Sequence, residues 1–255
     1  MKDNNESIHL DGAVEVRIDA QFREPEYTFM QHGRGSCPRG DIIAIKAKSK
    51  NGKTFLSSLF AAIILGAEIP FFSACRKRAK VMYFDTEQNP INTYMVVKRI
   101  YTLCGWKGKD NNRFKAFNLR GVELRERMDI ITRHIEEYKP TAVFVDGIAD
   151  LVNNFNDIEE SNEAIQKMMR ISAINKCAIF VIIHTNKGKD DNSMKGHLGT
   201  IAWQKCSDVF NIEKRNDDTF FVTETDCRNK PISDFSFKIS EEGIPFIPKT
   251  INNGD

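Results

Sequence analysis

The stretch AIKAKSKNGKT, residues 44–54, decides how the rest of the chain is read. It keeps the spacing of a phosphate-binding (Walker A) loop, in which a glycine precedes a Gly-Lys-Thr end. Ala47 stands in the first glycine's place, and Lys46, Lys48 and Lys50 crowd the loop. Spacing alone is generic, so the flanks carry the argument. A working loop leaves a buried strand and opens a helix. Backbone N–H groups then converge on the anion, and the helix start adds partial positive charge. DIIAIKA (41–47) is an apolar run of strand length, and GKTFLSSLFAAIILGA (52–67) has helical composition. Gly52 permits a tight turn, Lys53 can reach β- and γ-phosphates, and Thr54 offers Mg²⁺ a hydroxyl. Alanine at position 47 costs nothing as long as its φ is negative. The expected phosphate-contacting set is Ala47, Lys48, Ser49, Lys50, Asn51, Gly52, Lys53, Thr54 and Phe55, with ATP and Mg²⁺ as ligands. The competing reading is a basic turn that merely caps a helix.

Outward from the loop, strand-length apolar runs alternate with amphipathic stretches. Strands are expected at 41–47, 80–86, 113–119, 141–147 and 177–185, and helices at 53–66, 91–104, 122–138 and 157–176. In the last helix, Ile158, Ile165, Met168, Met169 and Ile171 recur at helical spacing. Alternation of this kind implies a mainly parallel central sheet with helices on both faces, a P-loop α/β core. Beyond residue 208 the helices stop. DVFNIEKR, TFFVTETDC, FSFKIS and IPFI read as C-terminal antiparallel strands extending the same sheet. Residues 1–28 are polar and weakly patterned, an N-terminal arm or linker. Residues 29–255 form the expected ATPase domain.

The bulk properties agree. A chain of 255 residues with 41% hydrophobic and 28% charged residues is an ordinary globular composition. A net charge of +2 means that nucleic-acid affinity must come from a local patch. Six scattered cysteines form no C-x-x-C pair and read as reduced, mostly buried thiols. The start has no secretory pattern, and no apolar run is long enough to span a bilayer. The expectation is a cytoplasmic protein with no membrane partner.

A triphosphate site also needs carboxylates. TAVFVDG ends an apolar strand on Asp146, where strand C-termini face a ligand crevice. Asp146 is the second expected metal-side residue beside Thr54. Asp150 either caps the next segment or lines the site. VMYFDTEQ offers Asp85 and Glu87, and Glu87 is the candidate for polarising the attacking water. Asp85 is left between site and turn. FVIIHTNKGKDD ends a strand on His184, either a γ-phosphate contact or a satisfied polar residue.

The ordered set Lys53–Thr54, Glu87, Asp146, His184 and Arg228 resembles the RecA/DnaB-like ATPases. Within them, RGDIIAIKAKSKNGKT, MYFDTEQ, FVDGIADL and KGHLGT look most like the RepA-like subgroup of bacterial plasmids and mobile elements. The resemblance spans roughly residues 29–245. It implies a RecA-like P-loop NTPase core with a mainly parallel central sheet, and a ring-forming homo-oligomer, often a hexamer, with ATP between subunits. By the same resemblance, Arg228 in TDCRNKP is the arginine finger toward a neighbour's γ-phosphate, with Lys230 assisting. Catalysis would rest on Glu87, Lys53, His184 and Arg228. Residues 186–205 would face the pore, with Lys187, Lys189, Lys195 and His197 contacting single-stranded DNA. A solvated surface loop is the plain alternative there, and Trp203 is either a stacking platform or core. The large N-terminal domain of replicative helicases has no counterpart, so a translocase, loader or partner-dependent role in replication or mobilisation is expected.

Two other classes compete. Lys48 and YFDTEQNP echo ParA/MinD-type switches, which recruit a protein partner without moving on DNA. Ser49 and Lys50 stand where that family expects glycines. A small-molecule kinase would need an arginine-rich lid, and RKRAK (76–80) is short and early for one. CRKRAK reads as a solvated turn.

Overall fold

The computed structural model describes residues 16, 18, 24–108, 110–186 and 193–248. In chain order these form β1 (Tyr27–Gln31), β2 (Arg34–Pro38), β3 (Ile42–Ala47), α1 (Lys53–Leu65), β4 (Phe72–Ala74) and β5 (Val81–Asp85). There follow α2 (Pro90–Leu103), β6 (Phe114–Asn118), α3 (Leu124–Tyr138), β7 (Ala142–Asp146) and a short 3-10 turn, Ile148–Leu151. The chain continues with α4 (Ile158–Asn175), β8 (Ala178–His184), α5 (Gly196–Lys205), β9 (Asp208–Lys214), β10 (Phe220–Cys227), β11 (Phe235–Ile239) and β12 (Pro245–Phe246).

The large sheet runs β12-β11-β10-β9-β3-β8-β7-β5-β6. From β9 to β6 every pairing is parallel, and β10, β11 and β12 add antiparallel strands at one side. Every residue of β5 and β7 is buried, as expected where helices cover both faces. Alternate residues serve the two faces. Ile43, Ile45, Tyr83, Phe144 and Phe180 pack with α1 and α2. Ile42, Ala44, Met82, Val143 and Ile179 pack with α3, α4 and α5. This is the expected mainly parallel sheet flanked by helices, with antiparallel C-terminal strands.

A second sheet, β2-β1-β4, was not expected. Its strands are short, and RGSCP carries the glycine and proline that argue against a strand. The reason for it lies in α1, whose residues are buried almost all round. A helix apolar on every side needs cover on its outer face as well. Phe29 of β1 meets Phe60 of α1 at 4.9 Å between ring centroids, and Phe72 of β4 meets Phe29 at 5.8 Å. His32 and Gly33, both with positive φ, close the β1–β2 hairpin, as a two-residue primed turn requires. β1 starts two residues before the expected boundary at residue 29, and residues 1–15 of the expected arm lie outside the described residues.

The other correction concerns residues 186–205, expected as a loop. Their second half is α5, because Leu198 and Ala202 are buried one turn apart beneath it. Trp203 on that helix is 47% exposed and is not core. The six cysteines are all free, three buried and three half-buried. Among the described residues, no helix is long and apolar enough to cross a membrane.

The end of the sheet away from the Ala47 end of β3 holds two neighbouring acids, Asp208 buried and Glu224 half-buried. Asp208 begins β9 beside Ile43, and Glu224 reaches it from β10. Ser207 donates to Asp208, while Glu224 accepts from the Ile232 N–H at 2.6 Å. Burial and the hydrogen bond to Asp208 push Glu224 up to about 8. The folded state therefore favours the protonated carboxyl. Its stability is fully present below the unfolded value and is lost as pH rises through about 8. Glu224→Gln keeps a donor and an acceptor but cannot ionise. Urea midpoints measured between pH 5 and 8 should fall for the wild type relative to this variant, and parallel curves would show that the fold does not hold Glu224 protonated.

Candidate functional site

β3 ends on Ala47, which is buried and pairs in register with His184 at the end of β8. Ala47 has no positive φ, so alanine fits. The left-handed residues are Lys50 (φ 63°) and Gly52 (φ 81°). Lys50 carries a conformational cost of about 1 kcal/mol that a glycine would not, a feature invisible in the motif. Gly52 is required twice over. Its φ is left-handed, and a Cβ there would lie 2.6 Å from the Phe220 ring.

Asn89 and Asp157 cap α2 and α4 with their side chains. α1 begins with no side-chain cap. Leu56 N–H is the first to bond back, to Gly52 O at 2.9 Å. The N–H groups of Lys53, Thr54 and Phe55 are left at the helix start, where an anion suits them. The Phe55 ring itself packs beneath the Arg99 guanidinium, 4.1 Å away. Of Phe55, the backbone is what the loop can use.

Lys53 is 8% exposed. Its ammonium donates to Ala47 O (3.2 Å), Lys48 O (3.1 Å) and His184 Nδ1 (3.0 Å). Burial lowers its pKa to about 8, and Asp146 and Glu87 oppose the shift. An ammonium only donates, so His184 Nδ1 accepts and the ring proton sits on Nε2. That nitrogen faces Glu87 Oε2 at 3.7 Å. The histidine holds Glu87 below the usual carboxylate range. Lys53, His184 and Glu87 thus form one chain from the loop to the expected catalytic acid.

On the other side, Asp146 accepts from Thr54 Oγ1 at 3.0 Å and from the Tyr83 hydroxyl. Burial raises the Asp146 pKa, a cost that a nearby cation offsets. A buried carboxylate beside a threonine hydroxyl is a hard-oxygen donor set that fits Mg²⁺. Thr54 and Asp146 would hold the ion, which supplies charge neutralisation at the phosphates. Among the described residues no group of three or more His, Cys, Asp or Glu is arranged to hold a metal. Two protein donors leave the remaining positions to water and phosphate oxygens.

Asp85 proves to be a brace. It accepts from Glu87 N (3.2 Å), Gln88 N (2.9 Å) and Thr93 Oγ1 (2.7 Å), fixing the turn that presents Glu87. Thr86 ties that turn to the end of β7 through Asp146 O (3.0 Å) and to Gly147 O just beyond it (2.8 Å), and meets Asp150 Oδ2 at 3.2 Å. Gly147, φ 104°, leaves room for this contact, since its Cβ would lie 2.4 Å from Thr86 Oγ1. Asp150 therefore lines the site, with its pKa raised by burial and by Glu87. Tyr83 and Thr86 were not foreseen. Only their places beside an acidic strand end could have marked them.

Arg228 is not brought together with these residues. Cys227 pairs with Asp208, which lies beside Ile43 near the start of β3. Arg228 is exposed there, its guanidinium on Lys205 O at 3.3 Å, at the opposite end of the sheet from its own loop. Lys187 and Lys189 lie outside the described residues. Lys195 and His197 flank the start of α5. The Lys195 N–H donates to His184 O at 2.9 Å, its ammonium lies over Phe155 at 4.4 Å, and His197 is exposed.

Residues 6–190, well over half of the chain, match the family model of an AAA domain. The chain belongs to that family. No curated protein matches it. As an AAA-domain protein it falls among P-loop ATPases, for which nucleotide binding, usually with Mg²⁺, is general. The match contains the loop, Glu87, Asp146 and His184, and stops before α5 and the antiparallel strands.

Gly52→Ala should abolish nucleotide binding and cost about 1–3 kcal/mol in stability. Adding Phe220→Ala should recover part of the stability, by relieving the contact, without restoring binding. Calorimetric nucleotide titration and urea unfolding check both. A Gly52→Ala protein that binds normally would break the assignment of the turn.

Proposed function

We propose that this protein is an ATP hydrolase of RecA/DnaB-like type, closest in character to the RepA-like subgroup, acting on single-stranded DNA as a translocase or loader. The observation that carries this reading is the path from nucleotide to DNA-facing segment. His184 touches Lys53 through its ring and Lys195 through its carbonyl. Asn186 N–H bonds Ser193 O at 3.0 Å, and Thr185 bridges Met194, so the segment leaves and returns beside that histidine. A change at the γ-phosphate would be felt at its base. On this reading Glu87 polarises the attacking water, Thr54 and Asp146 hold Mg²⁺, and Lys187, Lys189, Lys195 and His197 meet the DNA backbone, with the exposed Trp203 available for stacking.

The same reading includes assembly into a ring, a hexamer by the family resemblance. Arg228 lies far from its own loop, so as a finger it would serve a neighbour. Ile91 and Tyr94, 59% and 58% exposed, form an apolar stripe with Met95 on α2, close to Glu87. A replication or mobilisation protein would be the further partner, in a cytoplasmic setting.

The test is steady-state ATP hydrolysis without DNA, with single strands and with duplex. Lys53→Ala should lose about 100-fold or more of the turnover. Single strands should stimulate the wild type, and His184→Ala should lose that stimulation while still binding ATP. Hydrolysis indifferent to DNA would favour a switch of ParA/MinD type that recruits a protein. Arg228→Ala should bind ATP yet lose about 1,000-fold in turnover. Mixing it with Glu87→Ala should restore part of the activity if sites are shared. No rescue would exclude a finger supplied by a neighbour.

A further inference from the structure

A second cation-rich surface lies at the other end of the sheet. A groove of about 810 Å³ is lined by Lys77, Arg78, Lys80, Arg113, Lys115 and Tyr138. Lys80 immediately precedes β5, and Arg113 and Lys115 flank the first residue of β6. Those are the N-terminal ends of parallel strands, whereas Glu87 and Asp146 sit at the C-terminal ends. A five-residue strand separates the two ends by about 15 Å. The sequence shows CRKRAK only as a solvated turn. The fold joins it to cations some thirty-five residues further along the chain.

The groove is ordered by its own contacts. Lys80 donates to Tyr138 O and lies over the ring at 4.5 Å. Arg113 donates to Leu65 O (3.1 Å) and Lys77 O (3.4 Å) and covers Trp106. Lys77, Arg78 and Lys115 are exposed around these two. Arg76, in the same turn, is paired with Glu26 at 3.5 Å. Among the described residues, none of the five groove cations has a carboxylate at ion-pair distance. Five like charges around one concavity repel one another and concentrate anions.

The chemistry favours a nucleic-acid strand over an acidic protein. A peptide partner needs an apolar anchor at the centre of its site. The one aromatic ring that lines the groove, Tyr138, already carries Lys80 and Lys115, the latter at 4.6 Å, and its hydroxyl donates to Asn112 O at 2.5 Å. What the groove offers is charge spread along a length, the requirement for phosphodiester contact without base reading. We propose that this groove is a second nucleic-acid contact, binding the phosphodiester backbone of a strand away from the nucleotide site. It shares with the proposed function only the class of ligand, and it stands or falls independently of residues 186–205.

Fluorescence anisotropy of a labelled thymidine oligonucleotide across a salt series tests it, on the wild type, Lys77→Ala/Arg78→Ala/Lys115→Ala and Lys195→Ala/His197→Ala. The triple variant should keep basal ATP hydrolysis, which also reports that it is folded. Its affinity should fall about 10-fold or more at low salt, and the slope of log affinity against log salt should shrink by about 2. Wild-type affinity and slope in the triple variant would overturn the groove. If binding is then lost in Lys195→Ala/His197→Ala instead, the proposed function stands without it. Groove-dependent binding of poly-glutamate with no binding of the oligonucleotide would identify an acidic protein partner and overturn the proposal.

Discussion

A buried ammonium with all three of its protons used holds the nucleotide end of this molecule together. Lys53 has three donors, and the fold gives it three acceptors: two loop carbonyls and one histidine nitrogen. An ion this far from water is tolerable only with such partners. Satisfying it requires β8 to lie beside β3, because His184 reaches Lys53 from the strand end paired with Ala47. It also requires α1 to start within the turn, which Gly52 alone permits. Strand order, loop conformation and histidine tautomer are therefore one problem with one solution.

The same economy governs the core. α1 must hold Lys53 and Thr54 still, and it does so by being buried on every side. Phe60 meets Phe210 of the large sheet at 5.0 Å and Phe29 of the small one at 4.9 Å. The small sheet is thus the outer wall of the nucleotide helix. Asp85 plays a comparable part for Glu87. A carboxylate spends its acceptors on a turn so that its neighbour two residues on can face the site.

Much of this was legible in the sequence. Each expected strand from 41–47 to 177–185, and each of the four expected helices, lies within a residue or two of its place, because buried parallel strands and amphipathic helices write strong periodic patterns. Lys53, Thr54, Asp146, Glu87 and His184 meet because each ends or follows such a strand. What escaped was short or depended on distant partners. RGSCP does not look like a strand until α1 needs cover. GHLGTIAWQK is too brief and glycine-rich to declare a helix without the surface under Leu198. Asp150 could not be assigned before Thr86 and Gly147 were beside it. The basic tract before β5 acquired meaning only when β6 brought Arg113 and Lys115 alongside.

The two borders of the large sheet have a further consequence. β12 is a two-residue strand opening on Pro245, and the opposite border, β6, is five residues long with an outward lysine at its second position. Short length, proline and lysine all discourage the addition of another strand from a different molecule. Growth by edge-to-edge pairing, the route to fibrils for an open sheet, is disfavoured at both margins.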